Sequence, residues 1–235
     1  LNFFKVCYNC DGDRMIKVIK NGTVVTMDDS RSKKYEKLDI VIDGDAIAAL
    51  IPNYEGNYDE VIDASGKIVM PGLINAHTHL GMSIFRATND NLSLNDWLTK
   101  KIWPIEDKLT NEDIYYSTLL SAIEMIKSGT VMSNDMYFNC DGSLKALRET
   151  KVRCLFGRCL MDNDEDGDNR IADFKRLYEE NKDNELIKFA IAPHAFYTCS
   201  REYLKKCSDL ALQYNLPFHI HFSENENEVQ QIRKL

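Results

Sequence analysis

A chain of 235 residues, of which 44% are hydrophobic and 28% are charged, is long enough to bury a substantial core and has the composition of an ordinary globular protein. Its formal net charge of -8 argues against nucleic acid or an anionic membrane as a partner, because both favour a basic protein surface. No apolar run approaches the roughly 18 residues that cross a bilayer, and no signal segment opens the chain, so we expect no membrane association.

The seven cysteines are odd in number and irregularly spaced, so they do not form a disulfide framework. Free thiols suit a reducing compartment, and we therefore expect a cytoplasmic protein. Cys7 and Cys10 form a single C-x-x-C motif, which is weak evidence for a metal site without a second pair.

The first part of the chain is predicted to hold a small β domain. Residues 1–14 show neither a clean hydrophobic period nor a helix cap, and we expect them to be a non-native or upstream segment. From 15 to 68, short apolar runs alternate with turns that include Asn21-Gly22 and Asp43-Gly44. Such dipeptides between β-branched runs are strong hairpin signals. The pattern predicts an incomplete antiparallel β domain over residues 15–68.

From residue 69 to residue 235, strands alternate with helices. Thr110 and Asp113 form a capping-box pattern at the start of a predicted helix that ends at Gly129. Further helices are predicted in SLKALRETK, 170–182 and 201–214, and strands in VMPGLINAHTHL, TVMSNDMYF, VRCLFGRCL, LIKFAIAPH and LPFHIHFSE. This alternation predicts an α/β fold with a parallel sheet, a (β/α)8 TIM-type barrel that is truncated after about five βα units.

All five histidines lie at the carboxyl ends of predicted strands. His77 and His79 are two residues apart, so on a strand their side chains project from the same face. His219 and His221 repeat this spacing, and His194 also follows an apolar run. An isolated pair of this kind would be a chance pairing on a solvated strand. Five histidines at one end of a parallel sheet instead predict a metal or catalytic site.

Three of these histidines make a plausible zinc site. Catalytic zinc keeps about three protein ligands and an open position for water, which His77, His79 and His221 could supply. His219 shares a strand face with His221, so the spacing leaves open which of the two binds the metal. Glu224 follows His221 by three residues. It is either a general acid and base beside the metal or an acid favoured by a helix N-terminus.

Five separated motifs, in the right order, resemble the metal-dependent amidohydrolase superfamily, and within it the 5'-methylthioadenosine/S-adenosylhomocysteine deaminases. The motifs are PGLINAHTHLGMSIFR, DWLTKKIWPIED, the Gly-Arg of LFGRCL, APHAFYTCS and HIHFSENENE. The resemblance implies one divalent metal ion, most often zinc, that His77, His79 and His221 bind. It also implies that Glu224 shuttles protons.

The same resemblance implies a nucleoside pocket. Trp97 and Glu106 would line it, with the glutamate on the ribose hydroxyls, and His194 would contact the purine. Arg158 and Arg170 would pair with the carboxylate of S-adenosylhomocysteine. Taken alone, Trp97 could be a core aromatic, and Glu106 and Arg170 could be solvated charges. Arg158 ends an apolar strand and needs a partner, which a substrate carboxylate could provide.

The chain departs from this family in one respect. The family completes its site with a histidine after strand six and an aspartate after strand eight, and C-terminal strands finish its β domain. The 235 residues contain none of these, so we expect either a fragment of a longer chain or a defective version.

The predicted function is zinc-dependent hydrolytic deamination of the adenine ring of 5'-methylthioadenosine, S-adenosylhomocysteine or adenosine, with release of ammonia. The substrate would be a small nucleoside, and the sequence leaves homo-oligomerisation open. One alternative is another amidohydrolase, such as a guanine or triazine deaminase or a chlorohydrolase. The other is a catalytically incomplete fragment that only binds metal or a partner.

Overall fold

The computed structural model describes residues 15–88 and 91–234. The chain divides into two compact units, one that ends at Gly72 and one that begins at Leu73. The predicted upstream segment 1–14, with Cys7 and Cys10, lies outside the described residues.

The first unit is a five-stranded sheet. Its strands are β1 (Ile16–Val25), β2 (Tyr35–Asp43), β3 (Ala46–Ile51), β4 (Glu60–Asp63) and β5 (Ile68–Val69). The order is β3-β2-β1-β4, and β5 also pairs with β1. The small core of this sheet is formed by Val24, Leu38 and Ile40, which are buried.

This sheet is mixed, which corrects the prediction of an antiparallel domain. The pairs β1–β2 and β2–β3 are antiparallel, but β4 and β5 both run parallel to β1. The connection 52–59 brings the chain back to the beginning of β1, where the Asp59 amide donates to the Ile16 carbonyl. Hairpin signals report only pairings between strands that are adjacent in the sequence, so they missed this return.

One of the two predicted hairpins is present and the other is wrong. Asp43 pairs with Ala46 across a tight turn, with Gly44 at a φ of 62°. At Asn21-Gly22, by contrast, β1 continues through a bulge. Asn21 has a φ of 64°, and its amide donates to the carboxylate of Asp39. A left-handed residue fits a bulge as well as a turn, and the hydrogen bond that the Asn21 amide donates to Asp39 stabilises the bulge.

The second unit contains a parallel sheet of four strands in the order β6-β7-β8-β9. They are β6 (Leu73–Thr78), β7 (Thr130–Tyr137), β8 (Arg153–Leu160) and β9 (Ile187–Pro193). Residues 216–224, predicted as a fifth strand, form only one bridge in the described structure, between Ile191 and Phe218. Backbone bonds from His219 to Ile191 and from His221 to His194 nevertheless keep this segment alongside β9.

Helices connect the strands of the second unit. They are α1 (Leu94–Trp97), α2 (Trp103–Glu106), α3 (Asn111–Ser128), α4 (Cys140–Thr150), α5 (Gly167–Asn181), α6 (Arg201–Tyr214) and α7 (Glu226–Ile232). A π-helical turn (Leu98–Ile102) joins α1 to α2. The predicted capping box of α3 is present, because Thr110 and Asp113 bond reciprocally, and Gly129 ends the helix with a φ of 81°. No helix in the described residues is both long and apolar enough to cross a membrane.

The two faces of the parallel sheet have different surroundings: one packs against helices, and the other lines a cavity. Phe156 of β8 and Phe189 of β9 pack against Phe174 of α5 in a buried cluster. Because side chains alternate along a strand, residues of even number on β8 face these helices, whereas Cys159 faces the opposite side and lines a cavity. This alternation decides which polar side chains of β8 can reach the cavity.

Candidate metal and substrate site

The five histidines lie at the carboxyl end of the parallel sheet. His77 is the second-to-last residue of β6, and His79 directly follows this strand. His194 directly follows β9. His219 and His221 lie in the segment that continues beside β9. Parallel strands end at the same edge of a sheet, so residues far apart in the sequence meet there.

His77, His79 and His221 converge. One ring nitrogen from each lies within 4.8 Å of the others, and the Nε2 atoms of His79 and His221 are 3.2 Å apart. The ring of His77 is centred 4.9 Å from that of His79 and 4.8 Å from that of His221. Three nitrogen donors around one point, with open space on one side, suit a divalent metal such as zinc.

Hydrogen bonds on the far nitrogens orient two of these rings. The carbonyl of Met136 accepts from Nδ1 of His79 at 2.7 Å, and the carbonyl of His194 accepts from Nδ1 of His221 at 2.8 Å. A carbonyl can only accept, so in both rings the proton lies on Nδ1 and the lone pair on Nε2 is free. This is the tautomer that a metal ligand of this geometry requires.

The protonation of the cluster also suits a metal. Burial lowers the pKa of His79 to about 4, and burial together with His221 lowers the pKa of His77. Metal ligation needs the neutral imidazole. Near pH 7 these two rings are therefore already in the form that binds a cation.

The other two histidines surround this cluster. Nε2 of His219 lies 2.9 Å from Nδ1 of His77. His194 bonds through Nδ1 to the Thr198 hydroxyl at 2.8 Å, and its ring is centred 4.9 Å from that of His221. Burial lowers the pKa of His194 to about 3, so this ring is neutral near pH 7.

A cavity of about 140 Å³ adjoins the histidines and has an apolar wall. Six residues predicted to act in the site line it: His79, Trp97, Glu106, His194, His221 and Glu224. A wider groove of about 730 Å³ shares Leu94, Leu98, Trp103 and Tyr197 with it. An enclosed apolar space with a few polar groups is the usual form of a small-molecule site.

Glu106 is a buried carboxylate at the cavity wall, not a solvated charge. Its side chain belongs to α2, only 8% of the residue is exposed, and Oε1 accepts a hydrogen bond from the Tyr137 hydroxyl at 2.7 Å. Burial raises the pKa of Glu106, and the bond from Tyr137 acts in the opposite direction. Trp97, half-buried in α1, lines the same cavity.

Glu224 lies in the loop between the His221 segment and α7. Its Oε2 accepts a hydrogen bond from the Tyr197 hydroxyl at 3.0 Å. The first turn of α7 is occupied by Glu226 and Glu228, with Asn225 as the N-cap, so Glu224 is not the acid that this helix terminus favours. Its carboxylate faces the cavity that the histidines line.

Arg158 and Arg170 are not brought to this cavity. Arg158 has an even number on β8, so it faces the helices, where Nε donates to Asp173 at 3.2 Å. Arg170 pairs with both carboxylate oxygens of Asp164 and donates to the Met161 carbonyl. These positions do not match the expectation that both arginines hold a substrate carboxylate, because each arginine is already paired with an aspartate.

Two tyrosines that contact the carboxylates of the cavity were not identified from the sequence. Tyr137 ends β7 and Tyr197 follows His194, and each donates to one of the two carboxylates of the cavity. Tyr137 could have been found as a polar side chain at the end of a strand, where sites of parallel α/β folds collect. The pairing of Tyr197 with Glu224 joins residues of two separate loops and has no signal in the sequence.

Comparison with known proteins identifies relatives over most of the chain. Residues 68–235 match the Amidohydrolase family. The chain is 43% identical to 5-methylthioadenosine/S-adenosylhomocysteine deaminase of Thermoanaerobacter pseudethanolicus, over 91% of the chain and 51% of that protein. It is 41% identical to 5'-deoxyadenosine deaminase of Methanococcus vannielii, over 84% of the chain and 49% of that protein.

A solved structure agrees with these relatives. The crystal structure of an adenosine deaminase from Xanthomonas campestris with bound zinc superposes with a TM-score of 0.83 at 29% identity, over 92% of this chain and 51% of that one. The chain therefore spans about half the length of the curated relatives it matches. On the family match and these identities, the chain belongs to the amidohydrolase family.

Proposed function

We propose that the whole protein, meaning the polypeptide to which this chain belongs, is a zinc-dependent hydrolase that removes the amino group of an adenine nucleoside and releases ammonia. The observation that carries the proposal is the convergence of His77, His79 and His221 beside a cavity with two carboxylates, Glu106 and Glu224, on its wall. The relatives described above are named as deaminases of adenine nucleosides, which supports the substrate class.

The fold supports the same assignment. We propose that the parallel sheet is part of a (β/α)8 barrel of which this chain supplies about five units, and that residues 15–68 belong to a separate β domain. In such barrels the catalytic groups lie at the carboxyl ends of the strands, where the five histidines are found. The cysteines within the described residues are buried and free, which fits a reducing cytoplasm: Cys140, Cys154, Cys159, Cys199 and Cys207.

The three imidazoles would hold the metal, and Glu224 would move the proton. A zinc ion held by these residues would lower the pKa of water in the site toward 7. Glu224 takes the proton of the attacking water as its oxygen bonds to C6 of the adenine ring, and then transfers it to N1. The remaining hydroxyl proton then moves through Glu224 to the amino group, the C6–N bond breaks as the C6 carbonyl forms, and ammonia leaves. The Tyr197 hydroxyl holds the carboxylate of Glu224 at the cavity during these transfers.

The remaining residues would bind and orient the nucleoside. The buried carboxylate of Glu106 has one oxygen on Tyr137, which leaves the other for the two ribose hydroxyls. Trp97 offers an apolar surface to the nucleoside, and the neutral ring of His194 lies beside His221, where the purine would be attacked. This arrangement requires a ribose, so a free base should be a poor substrate.

Ammonia release by the purified whole protein tests the proposal. Adenosine and 5'-methylthioadenosine should yield inosine-type products, whereas guanine and a chlorinated triazine should not react. Removal of the metal by a chelator should abolish turnover, and zinc should restore it. Turnover of guanine or triazine without turnover of adenosine would overturn the assignment in favour of another amidohydrolase.

The 235-residue chain should be assayed separately. Zinc content without turnover would support an incomplete fragment in which the three histidines alone hold the metal. Turnover by this chain alone would contradict the idea that it is incomplete.

A further inference from the structure

His219 has an unusual hydrogen-bonding environment for a buried ring. Its Nε2 lies 2.9 Å from Nδ1 of His77, and the two rings are almost perpendicular, with centroids 5.1 Å apart. Its Nδ1 is buried and has no hydrogen-bond partner among the described residues. A β-carbon added to Gly157 would lie 3.8 Å from this nitrogen.

The three converging rings differ in the group that forms a hydrogen bond with Nδ1. Met136 and His194 supply backbone carbonyls to Nδ1 of His79 and His221, and those carbonyls can only accept. For His77 the corresponding partner is the imidazole of His219, which can accept or donate. The tautomer of His77 is therefore decided by a side chain, whereas the backbone decides the other two.

Two proton arrangements are open to this pair. In the first, Nδ1 of His77 donates to Nε2 of His219, so Nε2 of His77 is free to bind a metal and the proton of His219 lies on its unpartnered Nδ1. In the second, Nε2 of His219 donates to Nδ1 of His77. The proton of His77 then lies on Nε2, and that nitrogen cannot bind a metal.

We propose that His219 is a positioning residue that holds His77 in the metal-binding tautomer by accepting its Nδ1 proton, and is not itself a ligand. The inference rests on the metal site of the proposed function. The set of converging nitrogens supports it: one ring nitrogen from each of His77, His79 and His221 lies within 4.8 Å of the others, and His219 is not a member of this set. It also explains why the segment beside β9 carries both His219 and His221: His221 binds the metal and His219 orients a ligand from β6.

Zinc affinity of the whole protein, measured by competition with a chromogenic chelator, tests this role. His219→Leu removes the acceptor and should weaken zinc binding by about 10- to 100-fold, the usual effect of losing an outer-shell partner. His219→Gln restores a carbonyl oxygen near the same position and should retain most of the affinity. Thr198→Val is the matched control, because it removes the partner of His194, a histidine outside the converging set.

A spectroscopic readout separates positioning from ligation. In 15N-labelled protein loaded with 113Cd, nitrogen–cadmium coupling should be seen for Nε2 of His77, His79 and His221. His219 should show no coupling and a proton on Nδ1. In His219→Gln the proton on Nδ1 of His77 should persist.

Three outcomes would overturn the proposal, and they are distinguishable. Coupling of His219 to cadmium would make it a ligand. Unchanged zinc affinity in a folded His219→Leu variant would remove its influence on His77. Failure of the unaltered protein to bind zinc would overturn the metal site of the proposed function, and the role of His219 with it.

Discussion

Tyr137 donates a hydrogen bond of 2.7 Å to Glu106, and both side chains are buried at the wall of the cavity. Burial raises the pKa of Glu106, and this bond opposes the shift by stabilising the carboxylate. The pair joins the end of β7 to α2, so a strand of the sheet fixes the position of a carboxylate that we assign to the ribose.

Tyr137→Phe tests that assignment. The loss of one bond to a charged group, about 1.5 kcal/mol or more, should raise KM for adenosine by about tenfold with a smaller effect on kcat. A nucleoside without the two ribose hydroxyls, 2',3'-dideoxyadenosine, is the control, and its kinetics should be almost the same in both proteins. Equal losses on the two nucleosides would mean that Tyr137 supports the fold and not ribose recognition.

Glu224→Gln tests the proton shuttle. The amide keeps the shape and cannot take a proton, so turnover should fall at least about 100-fold, while zinc content measured by atomic emission stays unchanged. Glu180→Gln is a matched control, because this exposed acid on α5 pairs with Arg176 and lies outside the cavity. Full activity of the Glu224 variant with normal zinc would assign the proton transfer to another group.

Asp135 should make stability fall as the pH rises. Its side chain is buried, Oδ1 accepts from the Leu80 amide at 2.8 Å, and burial raises its pKa to about 7. An unfolded aspartate loses its proton near pH 4, so between about pH 4 and 7 the folded state binds more protons than the unfolded state. The contribution of Asp135 is therefore most favourable below pH 4 and is lost as the pH rises through 7.

Asp135→Asn isolates this contribution, because the amide oxygen still accepts from Leu80 but does not ionise. The histidines of lowered pKa act in the opposite direction, so only the comparison with the unaltered chain is informative. Between pH 5 and pH 7, urea unfolding should show a change in free energy of unfolding that differs by about 1 to 3 kcal/mol between the two proteins. Parallel pH profiles would contradict the buried, protonated carboxyl.

Arg170→Met tests the carboxylate role implied by the resemblance. In the structure Arg170 is bound to Asp164, so a substrate carboxylate would have to take the place of that partner. If it does, the variant should lose about 1.5 to 3 kcal/mol in kcat/KM on S-adenosylhomocysteine and much less on methylthioadenosine, which lacks the carboxylate. Equal losses on both substrates would show that the ion pair with Asp164 is structural.

Local signals predicted most of the elements correctly. The capping box at Thr110, the glycine at 129 and the turn at Asp43-Gly44 are read by backbone geometry within a few residues, and all three are present. The same kind of signal misled at Asn21-Gly22. There a left-handed backbone is used in a bulge, which depends on Asp39 of the neighbouring strand.

The spacing of the histidines, their place at strand ends and the succession of strands and helices are properties of the sequence alone, because they follow from the two-residue and 3.6-residue periods of strands and helices. Which of His219 and His221 points its nitrogen at His79 could not be read from that spacing. The sequence also did not reveal the direction of Arg158 or the tyrosine partners of Glu106 and Glu224. The parallel pairing of β4 with β1 was likewise not predictable from it. Tertiary structure decided these, because each depends on the register and spatial neighbour of a segment that is distant in the sequence.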